Sequence, residues 1–374
     1  MKVLLLAGEE SGLVYAEGLK ARLSDCEIRG YGDYGFKTAD LAVMGFWPVI
    51  KKLFYFLRVA RTMKRAIAEW RPDVVVTVDY PGLNLKLAAF AKSRGVPAVH
   101  LVCPQVWAWH RGRIPKVAAA LTKLLCFFPF EPELFVGTGL DAKFIGHPMV
   151  DVFAQERTDA EGAAAAAVGK KTLALLPGSR MGEIARNMPR LLAALALLGK
   201  RDDLEVVVPA ANARAEALLP AMIGNASFVR VQRGGARDLL RRADCAAVAS
   251  GTATLEAALA RCPTVLVYAV SPLLAWFARR VIKGVHFVGL ANVIWEKSRG
   301  GQDAPAAEAP MPDLLQEAFT PEAVAGRLRA WLDDPAARAD AVKRLDDAMA
   351  LLSSDGDALG RAADEIRSAA EGRA

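Results

Sequence analysis

Two hydrophobic patterns alternate along the chain. Short runs rich in Val, Leu and Ala recur between longer segments in which apolar residues return every three or four positions. The first pattern is typical of strands buried on both faces of a parallel sheet, and the second of amphipathic helices. Strands are predicted at 1–7, 73–78, 98–102, 124–128, 173–176, 205–209, 228–231, 245–249 and 264–268. Because helices separate the strands, we expect an α/β protein with doubly wound parallel sheets.

The strand–helix pattern occurs twice, and a low-complexity segment separates the two halves. Residues 160–168 are mostly Ala and Gly, and we place the connection between the halves around 148–170. A length of 374 residues fits two domains of this class better than one. We therefore predict a first Rossmann-like domain over 1–160 and a second over 161–374, the second ending in amphipathic helices.

The positive net charge indicates which classes of partner this protein could bind. The net charge is +7 and the pI is about 9.2, which suits an anionic membrane surface, phosphorylated substrates or nucleic acid. No zinc-finger, RNA-binding or Lys/Arg-block signature is present, so nucleic acid is the least favoured partner. The uncharged run at 262–278 is shorter than the roughly 20 residues that a membrane span needs. We found no signal peptide, and the five cysteines show no disulfide framework, so we expect a cytoplasmic protein.

The loop after the strand predicted at 173–176 has the properties of an anion site. Pro177 and Gly178 end the strand, Ser179 and Arg180 follow, and a helix begins near Glu183. A glycine turn before a helix presents free backbone N–H groups and the positive end of the helix dipole. Arg180 adds a cation that can bind phosphate through two nitrogens. We interpret the loop as a binding site for the diphosphate of a nucleotide, although an ordinary turn with a surface arginine has the same local pattern.

Other polar residues follow predicted strands. Asp79 ends the Val-rich strand, where a carboxylate could act as a general base or could simply cap a turn. The segment Ser250-Gly251-Thr252 begins another helix, and Glu256 within it could accept hydrogen bonds from ribose hydroxyls. His147 could contact substrate, act as a general base or pack at the hinge between the halves. Trp107 could stack on a sugar, line an acyl site or belong to the core.

The segment 41–70 combines a helical apolar stripe with additional aromatic and basic residues. Phe46, Trp47, Phe54 and Tyr55 add apolar bulk, and Lys51 and Lys52 are the first of several neighbouring cations. This composition favours a helix on an anionic membrane surface, with these six residues as membrane contacts. A domain helix with a solvated basic face is the alternative.

We expect neither a metal nor another cofactor. The one Asp-x-Asp motif, at 355–357, lies between two C-terminal helices rather than after a buried strand. The glycine loop after the first strand, at 8–12, is not GxGxxG, and no stretch of the sequence is a GxxxxGK[ST] loop, which disfavours a nicotinamide oxidoreductase and a P-loop enzyme.

A series of motifs closely resembles the lipid-A-disaccharide synthases, glycosyltransferase family 19. The motifs occur in the family's order: GEESG at 8–12, LAVMG at 41–45, Asp79 to Asn84, PQVWAWHRGR at 104–113, FFPFE at 127–131, FIGHPM at 144–149, LLPGSR at 175–180 and SGTATLE at 250–256. The resemblance implies a GT-B fold, in which two Rossmann-like domains face a central cleft. It also implies a peripheral enzyme at the cytoplasmic face of the inner membrane, with homodimerisation as a further expectation.

The reaction implied by the resemblance is an inverting glycosyl transfer. UDP-2,3-diacylglucosamine and 2,3-diacylglucosamine 1-phosphate would give a β-1',6-linked disaccharide 1-phosphate and UDP. Asp79 falls on the family's proposed catalytic position. The residues assigned to the nucleotide are Ser179, Arg180, Ser250, Gly251, Thr252, Glu256 and Asn292. Those assigned to the substrates are Glu9, Ser11, Asn84, Trp107 and His147.

Several positions depart from the family pattern, mainly in the half that would bind the acceptor. Leu13, Gly82 and Cys103 occupy positions where the family usually has Asp, Asp and Ser. Two alternatives therefore stay open. One is a related UDP-sugar transferase or epimerase with a different acceptor, and the other is a non-catalytic protein that binds nucleotide sugars.

Overall fold

The computed structural model describes the chain except residues 38–40, 42–52, 109, 162–169, 225, 227, 272–274, 277–279, 281–285, 300, 302–304, 354–355 and 373–374. At residues 10, 11, 53 and 157–161 it describes the backbone alone. The chain divides into two compact units. Met1–Asp151 and Leu352–Ala374 form the first unit, and Val152–Leu351 forms the second.

The first unit contains a six-stranded parallel sheet with the order β2-β1-β3-β4-β5-β6. Its strands are β1 (Lys2–Ala7), β2 (Glu27–Arg29), β3 (Val74–Val78), β4 (Ala98–Leu101), β5 (Lys123–Cys126) and β6 (Asp141–Phe144). In the register of the sheet, Ala7 pairs with Val78 and Val78 with Leu101. The carboxyl ends of β1, β3 and β4 therefore lie side by side at one edge.

The second unit contains another six-stranded parallel sheet, with the order β12-β11-β10-β7-β8-β9. Its strands are β7 (Lys171–Leu176), β8 (Leu204–Ala210), β9 (Val229–Arg233), β10 (Cys245–Ala249), β11 (Thr264–Tyr268) and β12 (Asp313–Leu315). The central strands β7 and β10 are almost fully buried. This burial explains why they read as continuous apolar runs in the sequence.

Helices connect the strands of both sheets, and the last helices of the chain follow β12. Those described are α1 (Glu10–Arg22), α2 (Leu53–Trp70), α3 (Pro81–Ser93), α4 (Ile114–Ala120), α5 (Pro148–Glu161), α6 (Met181–Leu198), α7 (Ala213–Ile223), α8 (Ala236–Arg242), α9 (Thr252–Leu259), α10 (Leu290–Ser298), α11 (Pro321–Asp333), α12 (Pro335–Ala350) and α13 (Ala358–Glu371). No helix among the described residues has an apolar stretch long enough to cross a membrane.

The sheet of the first unit is covered on both faces. Side chains of α2, α3 and α4 pack on one face, and those of α1 and α13 pack on the other. In α13, Ile366 is fully buried and Leu359 nearly so. Glu365 of the same helix forms ion pairs with Lys123 and, at 2.8 Å, with Lys143. The last helix is therefore an integral part of the first unit.

The predicted domain division needs two corrections. The sequence-based boundary was residue 160, whereas the first unit ends at Asp151 and the rest of α5 belongs to the second. The prediction assigned every C-terminal helix to the second domain, but α13 packs with the first. An amphipathic pattern shows that a helix buries one face, and it does not show which sheet that face contacts.

Several elements were absent from the sequence-based prediction. The strands β2, β6 and β12 are all edge strands, and their residues are only partly buried. They lack the continuous apolar run by which central strands are recognised. Helix α5 occupies a segment that we predicted as part of the connection. The sequence also predicts a helix at 273–284, and this segment falls largely outside the described residues.

Candidate functional site

Asp79 follows β3 directly and has an unusual backbone conformation. Asp79 and Tyr80 have φ angles of +50° and +53°, a region that costs about 1–2 kcal/mol per non-glycine residue. The Asp79 N–H donates to the Leu101 carbonyl at 2.9 Å, and one carboxylate oxygen accepts from the Tyr80 N–H at 2.8 Å. Burial raises the pKa of this carboxyl above its usual value, and the Tyr80 hydrogen bond opposes that rise. A half-buried carboxylate at the sheet edge has the properties of a general base.

Asn84 stabilises the strained turn at Asp79 and Tyr80 through hydrogen bonds to backbone carbonyls. Its side chain is fully buried, and its amide nitrogen donates to the carbonyls of Asp79 at 2.8 Å and of Leu6 and Val78 at 3.2 Å. Its amide oxygen accepts from the hydroxyl of Tyr31 at 2.8 Å. All polar atoms of this side chain are thus bound to the protein itself. The geometry favours a role in positioning Asp79 over the predicted direct contact with substrate.

The loop after β1 lies against Tyr80. A Cβ atom added to Gly8 would lie 2.5 Å from the Tyr80 ring, so only glycine permits this packing. The Tyr80 hydroxyl donates to the Leu41 carbonyl at 3.0 Å. Glu9 precedes α1 and is half-buried, and its carbonyl accepts from the Leu13 N–H at 3.1 Å. The side chain of Ser11 lies outside the described residues.

His147 follows β6 and is 5% exposed. Burial lowers the pKa of its ring to about 4, so the ring is neutral near pH 7. Its Nδ1 accepts from the Met149 N–H at 3.1 Å, which leaves the ring proton on Nε2. The ring also packs against Phe127 and Phe128. His147 is therefore a neutral donor in an aromatic environment, and its Nδ1 is not available as a base.

Trp107 is buried rather than presented as a stacking surface. It is 4% exposed, and its indole N–H donates to Oε1 of Glu131 at 3.2 Å. The other oxygen of Glu131 accepts from the Phe128 N–H at 3.1 Å. Burial raises the pKa of Glu131 to about 8. The structure therefore favours the core alternative for Trp107 over the predicted substrate contact.

Two cysteines lie next to Glu131. Ligand atoms of Cys103, Cys126 and Glu131 fall within 4.8 Å of one another, and all three residues are buried. The sequence spacing gave no indication of this group, because the cysteines come from the ends of different strands. Both Glu131 oxygens already accept hydrogen bonds from the protein, so the carboxylate has a structural task.

In the second unit, Glu183 organises the loop between β7 and α6. Its Oε2 atom accepts from the N–H groups of Ser179 and Arg180, both at 3.3 Å, and its Oε1 atom accepts from Nη1 of Arg180 at 2.9 Å. Gly178 has a φ of +121°, and a Cβ atom there would lie 2.7 Å from Glu183. Two of the N–H groups predicted to bind phosphate are therefore already paired with a carboxylate. Arg180 itself remains largely exposed, with 59% of its side chain accessible.

Two asparagines fix the backbone around this loop. Asn187 is fully buried, donates to the Pro177 carbonyl at 2.8 Å and accepts from the Ala269 N–H at 3.3 Å. Asn212 donates to the Ser179 carbonyl at 3.0 Å and caps α7 by accepting from the Ala215 N–H. The carboxyl ends of β7, β8 and β11 are thus held together by side-chain amides.

The segment after β10 presents small polar residues at the start of α9. Ser250 is half-buried, whereas Gly251 and Thr252 are exposed. Glu256, in the second turn of α9, accepts from Nη2 of Arg237 at 3.3 Å. The parallel sheet places the ends of β7 and β10 next to each other. The second unit therefore brings the Arg180 loop and the Glu256 helix to the same edge of its sheet.

Asn292 differs from its predicted role as a nucleotide contact. It is fully buried, and it exchanges two hydrogen bonds with the Met311 backbone, at 2.7 and 2.9 Å. It also donates to Asp313 at 2.7 Å, whose other oxygen accepts from the Val288 N–H. Burial raises the pKa of Asp313 to about 6. These contacts favour a role for Asn292 in holding the loop before α10.

The predicted membrane contacts are only partly described. Phe46, Trp47, Lys51 and Lys52 lie outside the described residues. Phe54, in the first turn of α2, is 85% exposed, and Leu57 one turn later is 43% exposed. Tyr55 instead points towards the core, where its ring contacts Phe36 and Phe56. The helix therefore keeps an exposed apolar position without Tyr55.

Sequence reasoning missed the residues that support the site rather than line it. Glu183, Asn187, Asn212 and Arg237 each hold a predicted site residue or its backbone. Only Glu183 had a recognisable signal, since an acid three residues after the position preceding a helix is the pattern of a capping box. The others act through contacts between elements distant in sequence.

Comparison with known proteins identifies the family. The family model described as lipid-A-disaccharide synthetase matches residues 3–304. The lipid-A-disaccharide synthase of Syntrophus aciditrophicus is 34% identical over 353 residues, which cover 89% of this chain and 88% of that protein. The synthase of Myxococcus xanthus is 35% identical over 349 residues, or 88% of each chain.

Solved structures show the same fold at low sequence identity. MurG of Acinetobacter baumannii aligns with a TM-score of 0.59 and 14% identity over 98% of this chain and 99% of that chain. A putative UDP-N-acetylglucosamine 2-epimerase of Listeria monocytogenes aligns with a TM-score of 0.62 and 14% identity over 99% and 97%. These likenesses confirm the predicted α/β fold of the GT-B class. They do not distinguish a transferase from an epimerase, because both share the fold.

Proposed function

Since this chain belongs to the lipid-A-disaccharide synthase family of glycosyltransferases, we propose that it joins UDP-2,3-diacylglucosamine to 2,3-diacylglucosamine 1-phosphate. The products are the β-1',6-linked disaccharide 1-phosphate and UDP. The observation that carries the proposal is Asp79, a half-buried carboxylate at the carboxyl end of β3 in a strained and firmly supported turn.

Asp79 acts as the general base for the acceptor. Its carboxylate takes the proton of the acceptor 6-hydroxyl while that oxygen forms a bond to the anomeric carbon of the donor. The bond from this carbon to the diphosphate oxygen breaks, and the electron pair leaves with UDP. Attack from the face opposite the leaving group inverts the configuration. The strained backbone at Asp79 is consistent with a catalytic role. Strained residues persist only where the surrounding structure holds them in place, and they cluster at active sites.

The second unit binds the nucleotide. Arg180 and the start of α6 stabilise the charge that develops on the diphosphate, which is the main electrostatic requirement of the reaction. Ser179, Ser250, Gly251 and Thr252 contribute polar groups at the same sheet edge. Glu256 accepts hydrogen bonds from the ribose hydroxyls, whereas Asn292 acts indirectly through the loop before α10.

The first unit binds the acceptor. Glu9 and Ser11 belong to the loop beside Tyr80, and His147 offers its Nε2–H as a donor to a sugar oxygen. Asn84 and Trp107 support this region from the core. The departures at Leu13, Gly82 and Cys103 lie in the same unit, so the acyl chains accepted are expected to differ from those of relatives.

The enzyme works at the cytoplasmic surface of the inner membrane. Phe54 and Leu57 project from α2, and the exposed cations Arg58, Arg61 and Arg65 share the helix with them. Reversible membrane binding then has two contributions. The apolar side chains insert into the lipid, and the cations lie beside anionic headgroups. That this enzyme forms a homodimer remains a prediction from the family resemblance.

The test is a thin-layer assay in detergent micelles with both lipid substrates. The native protein is compared with Asp79→Ala, and UDP binding is measured for each by calorimetry. We expect disaccharide from the native protein, almost none from the variant, and equal UDP affinity for the two. Tight UDP binding by the native protein without disaccharide would reject the proposed acceptor or the catalytic role. Full activity of the variant would reject Asp79 as the base.

A further inference from the structure

Arg237 connects Glu256 to a second carboxylate and to an aromatic ring. Its Nη2 donates to Oε1 of Glu256 at 3.3 Å, and its Nη1 lies 3.6 Å from Oε1 of Glu156. Its guanidinium carbon lies 5.4 Å from the ring centre of Phe153. The arginine therefore contacts one residue of α9 and two of α5.

Further side chains surround the inner part of Arg237, whose side chain is 37% exposed. Phe153 is 3% exposed, and Arg241, one turn further along α8, packs on the same ring at 4.9 Å. Arg241 also forms an ion pair with Glu156. The Nε of Arg237 is buried and has no hydrogen-bond partner in the described part of the chain. Because the Phe153 ring and Glu156 already hold the planar guanidinium of Arg237, little additional conformational entropy is lost when it also orients Glu256.

The contact leaves one oxygen of Glu256 for a ligand. Arg237 binds Oε1, and Oε2 has no hydrogen-bond partner among the described residues. Glu256 is only 19% exposed on its side chain, so its orientation is set by the protein more than by solvent. A carboxylate that must accept hydrogen bonds from two ribose hydroxyls needs a fixed plane.

We propose that Arg237 is a positioning residue of the nucleotide site, which holds the Glu256 carboxylate in the orientation that accepts the ribose hydroxyls. This inference rests on the proposed role of Glu256 in binding ribose. Arg237 does not itself contact the nucleotide in this scheme. Its effect is to make the protein discriminate between ribose and a sugar that lacks the 2'- and 3'-hydroxyls.

The experiment measures this discrimination directly. Calorimetry gives the affinities for UDP and for 2',3'-dideoxy-UDP with the native protein and with Glu256→Gln, Arg237→Met and Arg237→Lys. We expect the native protein to prefer UDP by roughly ten- to a hundredfold, the value of a charged hydrogen-bond pair. Glu256→Gln and Arg237→Met should lose most of this preference, and Arg237→Lys should recover part of it.

A matched control separates this effect from the general loss of a positive charge. Arg233, at the end of β9, is 80% exposed and lies 3.6 Å from Glu216. Arg233→Met should keep the native preference for UDP. The double variant Arg237→Met/Glu256→Gln should prefer UDP over 2',3'-dideoxy-UDP no less than Glu256→Gln alone does, because the two residues act as one unit.

Steady-state kinetics provide a second readout. Arg237→Met should raise KM for the donor and change kcat little, since a positioning role affects binding of the nucleotide rather than the chemical step. Circular dichroism checks that each variant is folded. If Arg237→Met is unfolded, the test depends on Arg237→Lys alone, because lysine keeps the positive charge and its side chain is shorter than that of arginine.

Two failures can be told apart. If Glu256→Gln loses the preference and the folded Arg237 variants keep it, the positioning role is wrong and the role of Glu256 stands. If Glu256→Gln keeps the preference, the proposed ribose contact itself is wrong, and the inference about Arg237 is lost with it.

Discussion

Glu183 binds Arg180 through both of its oxygens. One oxygen lies 2.9 Å from the guanidinium and the other 3.3 Å from the backbone nitrogen of the same residue. Glu183 is 9% exposed, whereas the Arg180 side chain is 59% exposed. A buried carboxylate thus fixes an accessible cation on the loop after β7. In the proposed nucleotide site, a loop that the protein's own side chains hold in shape would lower the entropy lost on binding.

Glu183→Gln should weaken UDP binding by about tenfold, because a charged hydrogen bond that orients Arg180 is replaced by a neutral one. Competitive inhibition by UDP measures the effect. The control is Glu216→Gln, which replaces a partly exposed acid of the same unit and should leave the affinity for UDP unchanged. Tighter UDP binding by Glu183→Gln would show that the carboxylate competes with the diphosphate for the loop.

Asp79→Asn should reduce disaccharide formation by on the order of 10²–10⁴, the usual contribution of a general base. The same change should stabilise the protein near neutral pH. Burial raises the pKa of Asp79, so the folded protein favours the protonated form and loses stability as the carboxyl ionises. The amide keeps an acceptor for the Tyr80 N–H. Urea titrations should show the gain near pH 7 and no gain in acid, and a gain that persists in acid would contradict this reason.

His147→Asn should flatten the dependence of stability on pH. The folded pKa is about 4, against 6.5 for the free side chain, so the unfolded chain binds the proton more readily. Stability is therefore lost as the pH falls from about 6.5 to about 4, by on the order of 3 kcal/mol. Urea titrations of both proteins across this range measure the difference. His100, another buried histidine with a lowered pKa, leaves a residual slope.

The control for this prediction is His110→Asn, since His110 is exposed. This variant keeps the buried ring of His147 and should therefore keep the slope that this ring produces. Equal slopes for the native protein and His147→Asn would mean that the His147 ring is hydrated or protonated in the folded state.

Phe54→Ser should weaken binding to anionic vesicles. Burial of a phenylalanine side chain contributes about 1.5–3 kcal/mol, so the partition coefficient should fall by about tenfold or more. Val136→Ser is the matched control, because Val136 is 81% exposed and belongs to the same unit outside α2. Flotation of the proteins with phosphatidylglycerol vesicles measures the effect. Equal losses for both variants would remove α2 as the membrane contact.

Ile366→Ala should destabilise the first unit by about 2–4 kcal/mol, as expected for a buried Ile that leaves a cavity. Ile366 is fully buried in the core formed by α1, α13 and one sheet face. Hydrogen exchange should increase in β1 and β3. Val324→Ala, fully buried on α11 in the second unit, should increase exchange in β7 and β10 instead. Exchange confined to the second unit after Ile366→Ala would contradict the position of α13.

The sequence by itself determined the central strands and the residues that follow them. The strands ending at Val78, Ala249 and Tyr268 begin and end in the structure within one residue of their predicted bounds. Burial on both faces requires an uninterrupted apolar run, and such a run is visible in one dimension. The positions of Asp79, Arg180 and Glu256 at sheet edges follow from the same pattern.

The tertiary structure decided what each polar residue at those edges can contact. Asn84, Trp107 and Asn292 have the sequence context of site residues, yet their polar groups are bound within the core. Arg237, which holds Glu256, lies on another helix, and α13 joins a unit that the chain left some 200 residues earlier. Local sequence encodes which face of an element is buried. The partner that covers this face depends on packing between distant segments, and no local pattern records it.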